Sequence, residues 1–245
     1  MDKLFYVEKG DLRMNYCLSF LEKSDYAITD NISDADYIIL PFNAKPENYI
    51  GKINSNQAVF CFKTDGFCEI CNAKSYCTQE YTEKNSLMTA QGTLAVLLEN
   101  INELLNEKRI AVLGYGHCGK AICNLLKRYT SNISCYARSE IRQKEILRDG
   151  IACRYTVDKS VAKEDIIINT IPYNVLNEEI LNSLNENSLY IEVASAPYGF
   201  DVSGADNYKF KFVSASGLPG KYTPISAGGN IAQAVIGIIK EDGYE

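Results

Sequence analysis

Apolar residues arrive along this 245-residue chain in short bursts separated by longer mixed stretches. Leu4 to Val7 predicts a first strand. From Asp11 to Lys23 the apolar positions Leu12, Tyr16, Cys17 or Leu18, Phe20 and Leu21 predict an amphipathic helix capped by Asp11. Ala35 to Pro41 reads as a second strand stopped by proline, and Gln57 to Phe62 as a third. Strands alternating with helical stretches predict a small parallel α/β domain over residues 1–84, a lid or substrate domain with no glycine fingerprint of its own. Leu94, Leu97, Leu98, Ile101, Leu104 and Leu105 then form one stripe, a bridging helix over about 89–105. Residues 85–245 make the second domain, with strands near 110–113, 133–137, 165–172, 188–194 and 210–213. A short helix from Glu178 to Leu184, capped by Asn177, and a last helix over about 226–239 complete it.

The segment Arg109 to Lys120 gives that second domain its chemistry. The apolar run Ile110–Leu113 leads into Gly114-x-Gly116-x-x-Gly119, and a helical pattern follows to Tyr129. Strand, glycine turn and helix in that order form the dinucleotide fingerprint. Gly114 permits the tight turn and Gly116 lets the backbone approach a pyrophosphate. Gly119 lets helix and strand close up, and the helix N-terminus offers free N–H groups to the anion. Tyr115, His117 and Cys118 fill the turn. His117, the only histidine, is expected to pack near the pyrophosphate rather than to act as a base. After the next strand comes Ala137-Arg138-Ser139, with Arg142 one turn on, where an acid would accept the ribose hydroxyls of NAD. Arginine can clamp a 2′-phosphate and serine can donate to it, which favours NADP; the alternative is that Arg138 caps a surface loop and Glu140 takes the ribose.

Ligands of open α/β sheets gather at the carboxyl ends of strands. The loops at 170–173, 195–201 and 216–224 are therefore expected to face the cofactor, with Thr170, Ile171, Pro172, Ala194, Gly217, Leu218 and Pro219 against it. Two glycines and two prolines between Ser214 and Pro224 predict a fixed, unusual backbone path. Ser86 and Thr89 either receive a substrate carboxylate with the first N–H groups of the bridging helix, or serve only as its N-cap.

Composition narrows the classes. With 46% hydrophobic and 23% charged residues the chain reads as a globular protein. A net charge of −6 without a basic cluster argues against nucleic-acid binding. The start of the chain lacks a signal-peptide core and no run approaches bilayer length, so a cytoplasmic location and no membrane contact are expected. Nine cysteines, an odd number scattered through core elements, suit a reducing compartment. Cys61, Cys68, Cys71 and Cys77 include one CxxC and could hold zinc; without a second CxxC, structural thiols are the better reading, and no metal is expected.

Several segments together resemble the dipicolinate synthase A-subunit family: Asn85–Thr93, Ala111–Gly119, Ala137–Ser139, Ile168–Pro172, Val193–Ser195 with Pro197 and Gly199, and Gly217–Gly220 with Thr223-Pro224 and Ala227-Gly228. The resemblance runs from about Asn85 to the end, and the GLPG…TP…AG stretch is its distinctive part. It implies an α/β protein, a Rossmann domain with a smaller N-terminal domain joined by bridging helices in a formate/glycerate-dehydrogenase-like layout. It also implies oxidation of dihydrodipicolinate to pyridine-2,6-dicarboxylate with NADP, in a spore-forming bacterium and beside a flavoprotein-like B subunit. Formation of a homo-oligomer is expected. Such chemistry needs a ring held against the nicotinamide, two carboxylates bound and a ring proton removed. Lys221, Thr89 and Lys63 are the carboxylate candidates, Lys221 or Glu192 the base, and Ser195 a further catalytic candidate. A D-2-hydroxyacid dehydrogenase would need a late catalytic histidine, which is missing. The remaining alternatives are a shikimate-dehydrogenase-like or imine-reductase-like NADP enzyme and a catalytically silent NADP-binding subunit.

Overall fold

The apolar bursts become the strands of two separate parallel sheets. The computed structural model describes residues 3–243. They group into two units, one running to Asn85 and resuming at Pro219, the other spanning Ser86–Leu218.

In the first unit, β1 (Phe5–Val7), β2 (Tyr37–Ile39), β3 (Ala58–Cys61) and β4 (Asn72–Ser75) lie side by side in chain order, all parallel. Period-two alternation puts Phe5, Tyr37 and Phe60 on one face, packed against α1 (Leu12–Lys23) and α7 (Pro224–Glu241). Ile38, Leu40, Val59 and Cys61 form the opposite apolar face, which Phe67 and Tyr49 cover. Asp11 caps α1 as expected, accepting from the Arg13 amide at 2.8 Å. The two helices meet at Gly228, where an added Cβ would lie 2.5 Å from the Arg13 carbonyl oxygen and 2.6 Å from the Cys17 nitrogen. The edge strand β4 has no counterpart in the sequence reading. Its residues, Asn-Ala-Lys-Ser, carry no apolar alternation because an edge strand needs little burial.

In the second unit, β5 (Ile110–Leu113), α3 (His117–Leu126), β6 (Ile133–Tyr136), α4 (Glu140–Arg148) and β7 (Ala152–Arg154) form one half. The other half is β8 (Ile166–Asn169), α5 (Glu178–Ser183), β9 (Leu189–Glu192) and β10 (Lys211–Ser214). The sheet order is β10-β9-β8-β5-β6-β7, all parallel. The direction of growth reverses between β5 and β8, so the switch point of a doubly wound sheet falls at the fingerprint strand.

Three sequence expectations change. The helix α2 covers Gln79–Asn100, not 89–105: it starts ten residues earlier and stops before Ile101. Polar residues such as Glu80, Glu83 and Lys84 occupy its solvent side, so the leucine stripe marked only its later turns. The stretch after Ser214 is not an irregular path throughout, because Leu218–Tyr222 forms a short helix, α6. The division into 1–84 and 85–245 also shifts. Residues from Pro219 onward group with the first unit because α7 completes the core under β1 and β2.

Candidate functional site

The site is built on the turn between β5 and α3. Gly114 has φ +96°, a conformation that disfavours side chains, and an added Cβ would lie 2.8 Å from both Ile171 Cγ1 and Thr170 Oγ1. At Gly119 the Cβ would fall 2.1 Å from the Gly114 carbonyl oxygen, so the helix can close on the turn only without a side chain. Gly116 differs. It is the N-cap of α3, makes no side-chain capping bond, and its Cβ position opens on empty space. The first turn of α3 thus presents amides beside an exposed glycine with room in front of it, which suits a pyrophosphate.

The neighbouring strand ends are tied to this turn. Thr170 Oγ1 donates to the Leu113 carbonyl at 2.8 Å, fixing the loop after β8 to the end of β5. Asn169, fully buried, accepts from the Ile171 amide at 3.1 Å and donates to the Ile171 carbonyl at 3.0 Å. Its Nδ2 also donates to Glu192 Oε1 at 2.8 Å. Glu192 collects three more donors: the Ala194 amide at 3.1 Å, the Gly199 amide at 2.9 Å and Tyr190 Oη at 3.1 Å. Burial pushes its carboxyl above the usual range, and these hydrogen bonds oppose that push. Gly199 is needed here, because a Cβ would lie 2.5 Å from Tyr190 Oη and 2.6 Å from Asn169 Nδ2.

This geometry corrects the role expected of Glu192. Four donors occupy its oxygens and it is 1% exposed, so it cannot reach a ring proton; it pins the loops after β8 and β9. Ser86 and Thr89 also change role. They lie in the second and third turns of α2, seven and ten residues past its first residue, so neither caps the helix nor borders its free N–H groups. Both are buried, and Thr89 is hydrogen-bonded to the Cys118 thiol, which brings α2 against the glycine turn. Burial raises the Cys118 thiol and the Thr89 bond lowers it.

Tyr115 turns inward. Its ring is buried and its hydroxyl donates to Asp149 Oδ2 at 2.7 Å, with Lys120 Nζ 3.5 Å from the same carboxylate. It anchors the turn rather than lining it. His117 is exposed at the first position of α3. Past β6, Arg138 and Ser139 are exposed; Arg138 makes no ion pair among the described residues, and Ser139 stands at the N-cap of α4 without a side-chain capping bond. Arg142 is engaged with Glu145 at 2.7 Å. Ile171 is half-buried and Pro172 exposed, Ala194 is buried beside exposed Ser195, and Gly217 and Leu218 follow β10. Pro219, Lys221 and Lys63 belong to the first unit, with Lys221 and Lys63 both exposed.

Among the described residues no three His, Cys, Asp or Glu side chains stand where they could hold a metal ion, and all nine cysteines are free thiols. No described helix is long and apolar enough to cross a membrane.

Residues 79–198 match the family model of the D-isomer specific 2-hydroxyacid dehydrogenase NAD-binding domain. The chain is similar to the dipicolinate synthase A-subunit of Bacillus subtilis (strain 168), 31% identical over 159 residues. That match takes in 64% of this chain and 54% of the relative, so it spans about half the length of the curated protein. Among solved structures, the dipicolinate synthase A chain from Bacillus subtilis superposes with TM-score 0.86 at 22% identity, covering 100% of this chain and 98% of that one. The dipicolinate synthase A-subunit from Bacillus halodurans gives 0.83 at 20% identity and 97% of each chain. The fold is α/β with parallel sheets and a Rossmann-like nucleotide-binding domain. By its description, the domain matched over residues 79–198 is one that binds a nicotinamide cofactor.

Proposed function

We propose that the protein is an NADP-dependent oxidoreductase that converts dihydrodipicolinate to dipicolinate, acting with a B-type subunit in a spore-forming cell. The observation that carries the cofactor half of this reading is the pairing of an uncapped, open Gly116 turn with an exposed Arg138–Ser139 at the end of β6. An arginine with no ion pair and a serine with no capping bond stand where a 2′-phosphate would need donors, and no aspartate or glutamate ends that strand. The substrate half rests on the 31% identity to the dipicolinate synthase A-subunit.

A nicotinamide bound at this site supplies the hydride acceptor. The ring gives up a hydride and a proton and becomes aromatic, a downhill change that asks the protein chiefly for positioning. Thr170, Asn169 and Glu192 supply it by holding the loops after β8 and β9 in one arrangement. Ser195, exposed between Ala194 and the Glu192-held Gly199 amide, remains a proposed contact. With Glu192 occupied, Lys221 is the candidate left for the ring proton.

The test is a titration of the purified chain with NADP(H) and NAD(H), with and without pyridine-2,6-dicarboxylate, followed by turnover with and without the B subunit. Preference for NADP(H), tightened by the dicarboxylate, is the expected result. Binding of neither nucleotide overturns the reading. Cofactor binding indifferent to the dicarboxylate leaves a Rossmann reductase of another substrate.

A further inference from the structure

Arg13 stands out in the first unit because its guanidinium is built into place but only half used. It lies in the first turn of α1, just past the carboxyl end of β1, with its side chain 15% exposed. Nε donates to both oxygens of Asp11 at 3.1 Å, and Nη2 donates to Asp11 Oδ2. That is one edge of the planar fork. The other edge, bearing Nη1, makes no hydrogen bond among the described residues. No described side-chain nitrogen is both buried and unpartnered, so Nη1 reaches the surface.

Two features hold the fork in that pose. The guanidinium carbon lies 5.2 Å from the centroid of the Phe42 ring, at the carboxyl end of β2. Phe42 meets Phe62, which follows β3, edge to face at 5.9 Å, yet it stays 53% exposed. On another side lies Gly220 of the GLPG segment, where an added Cβ would be 3.2 Å from Nε and 3.4 Å from Cδ. Any other residue there would press on the arginine. Asp11 and Phe42 thus set the plane of the guanidinium, and the exposed part of the Phe42 ring lies beside its unused edge.

The geometry points to Arg13 as an anion-binding residue: its Nη1/Nη2 edge takes one carboxylate of a small, planar cyclic acid whose ring lies against the exposed part of Phe42. The Asp11 pairing leaves this edge free while fixing the plane, so a second carboxylate can bind end-on with two parallel hydrogen bonds. A lysine could not divide its donors between two partners in that way. This assignment rests on the dicarboxylate reading above and names the residue that recognises the acid. It also accounts for Gly220, which the cofactor site leaves unexplained.

Pyridine-2,6-dicarboxylate is the probe, with binding to the full chain followed by calorimetry, and NADP(H) affinity and thermal melting as controls. Arg13→Met is expected to weaken dicarboxylate binding roughly 10- to 100-fold, the loss of a charge-assisted pair, with NADP(H) affinity unchanged. Arg13→Lys is expected to recover little of it. If Arg13→Met melts early, Phe42→Leu, an exposed change, decides: weaker binding supports the assignment and unchanged binding overturns it. Wild-type affinity in a folded Arg13→Met overturns the assignment and leaves the dicarboxylate reading standing. A wild-type chain that binds NADP(H) but no dicarboxylate sinks both.

Discussion

Glu192 shows how a single buried carboxylate separates positioning from proton transfer. Its oxygens accept four hydrogen bonds from the Asn169, Tyr190, Ala194 and Gly199 groups. Glu192→Gln puts an NH2 opposite donors, so we expect a loss of about 1–3 kcal/mol in stability, read by denaturant unfolding. A ring base would behave differently, losing turnover at unchanged stability. Arg138 carries the other residue-scale prediction. Arg138→Ala is expected to lower NADP(H) affinity by roughly 10- to 100-fold, as for the loss of a charge-assisted bond, while NAD(H) affinity holds; equal losses for both cofactors would place the arginine elsewhere than at a 2′-phosphate. The exposed position of Arg138 and Ser139 past β6 was legible from their distance past the fingerprint, because strand and turn lengths in this fold are short-range features. The role of Glu192 was not legible, since its donors come from residues spread between 169 and 199 that only folding assembles.

At the level of elements, the α1–α7 packing rests on Gly228. A Cβ there meets the Arg13 carbonyl oxygen and the Cys17 nitrogen, both backbone atoms that cannot step aside. Gly228→Ala is therefore expected to cost about 1–3 kcal/mol by overpacking, seen as a lowered thermal midpoint. The fingerprint turn behaves alike: Gly119→Ala puts a Cβ against the Gly114 carbonyl, and loss of nucleotide binding is the expected result in a fluorescence titration. The helices α1 and α5 begin where Asp11 and Asn177 announced them, because a capping side chain acts on its own next residues. The start of α2 was hidden. Its early turns expose a polar side from Glu80 to Lys84 and bury Tyr81, Ser86 and Thr89, a mixed pattern that carries no stripe.

Across the whole chain, pH sensitivity follows from two opposed sets of carboxylates. The hydrogen bond from Arg109 holds Asp165 below the usual range, at the entry to β5 and β8. A depressed carboxylate adds stability above its unfolded pKa and loses it as pH falls through the folded one. Glu192 and Glu164 are raised, chiefly by burial, so they favour the fold when protonated and lose that contribution as pH rises through their elevated values. Unfolding free energies measured from about pH 2 to 8 should fall on the acid side below about pH 4. Asp165→Asn should make that fall shallower; an unchanged acid limb would assign it to other carboxylates.

Local order of residues was enough to settle the parallel α/β class, the glycine turn and the polarity of the strand that follows it. Each depends on short-range rules: side-chain alternation, capping, and the steric freedom of glycine. Folding decided what lies far apart in the chain. It placed the last helix under β1 and β2, seated Gly220 on Arg13, and drew four donors onto Glu192. Those contacts depend on burial and on distances that close only when separate elements pack, and no local pattern of residues encodes them.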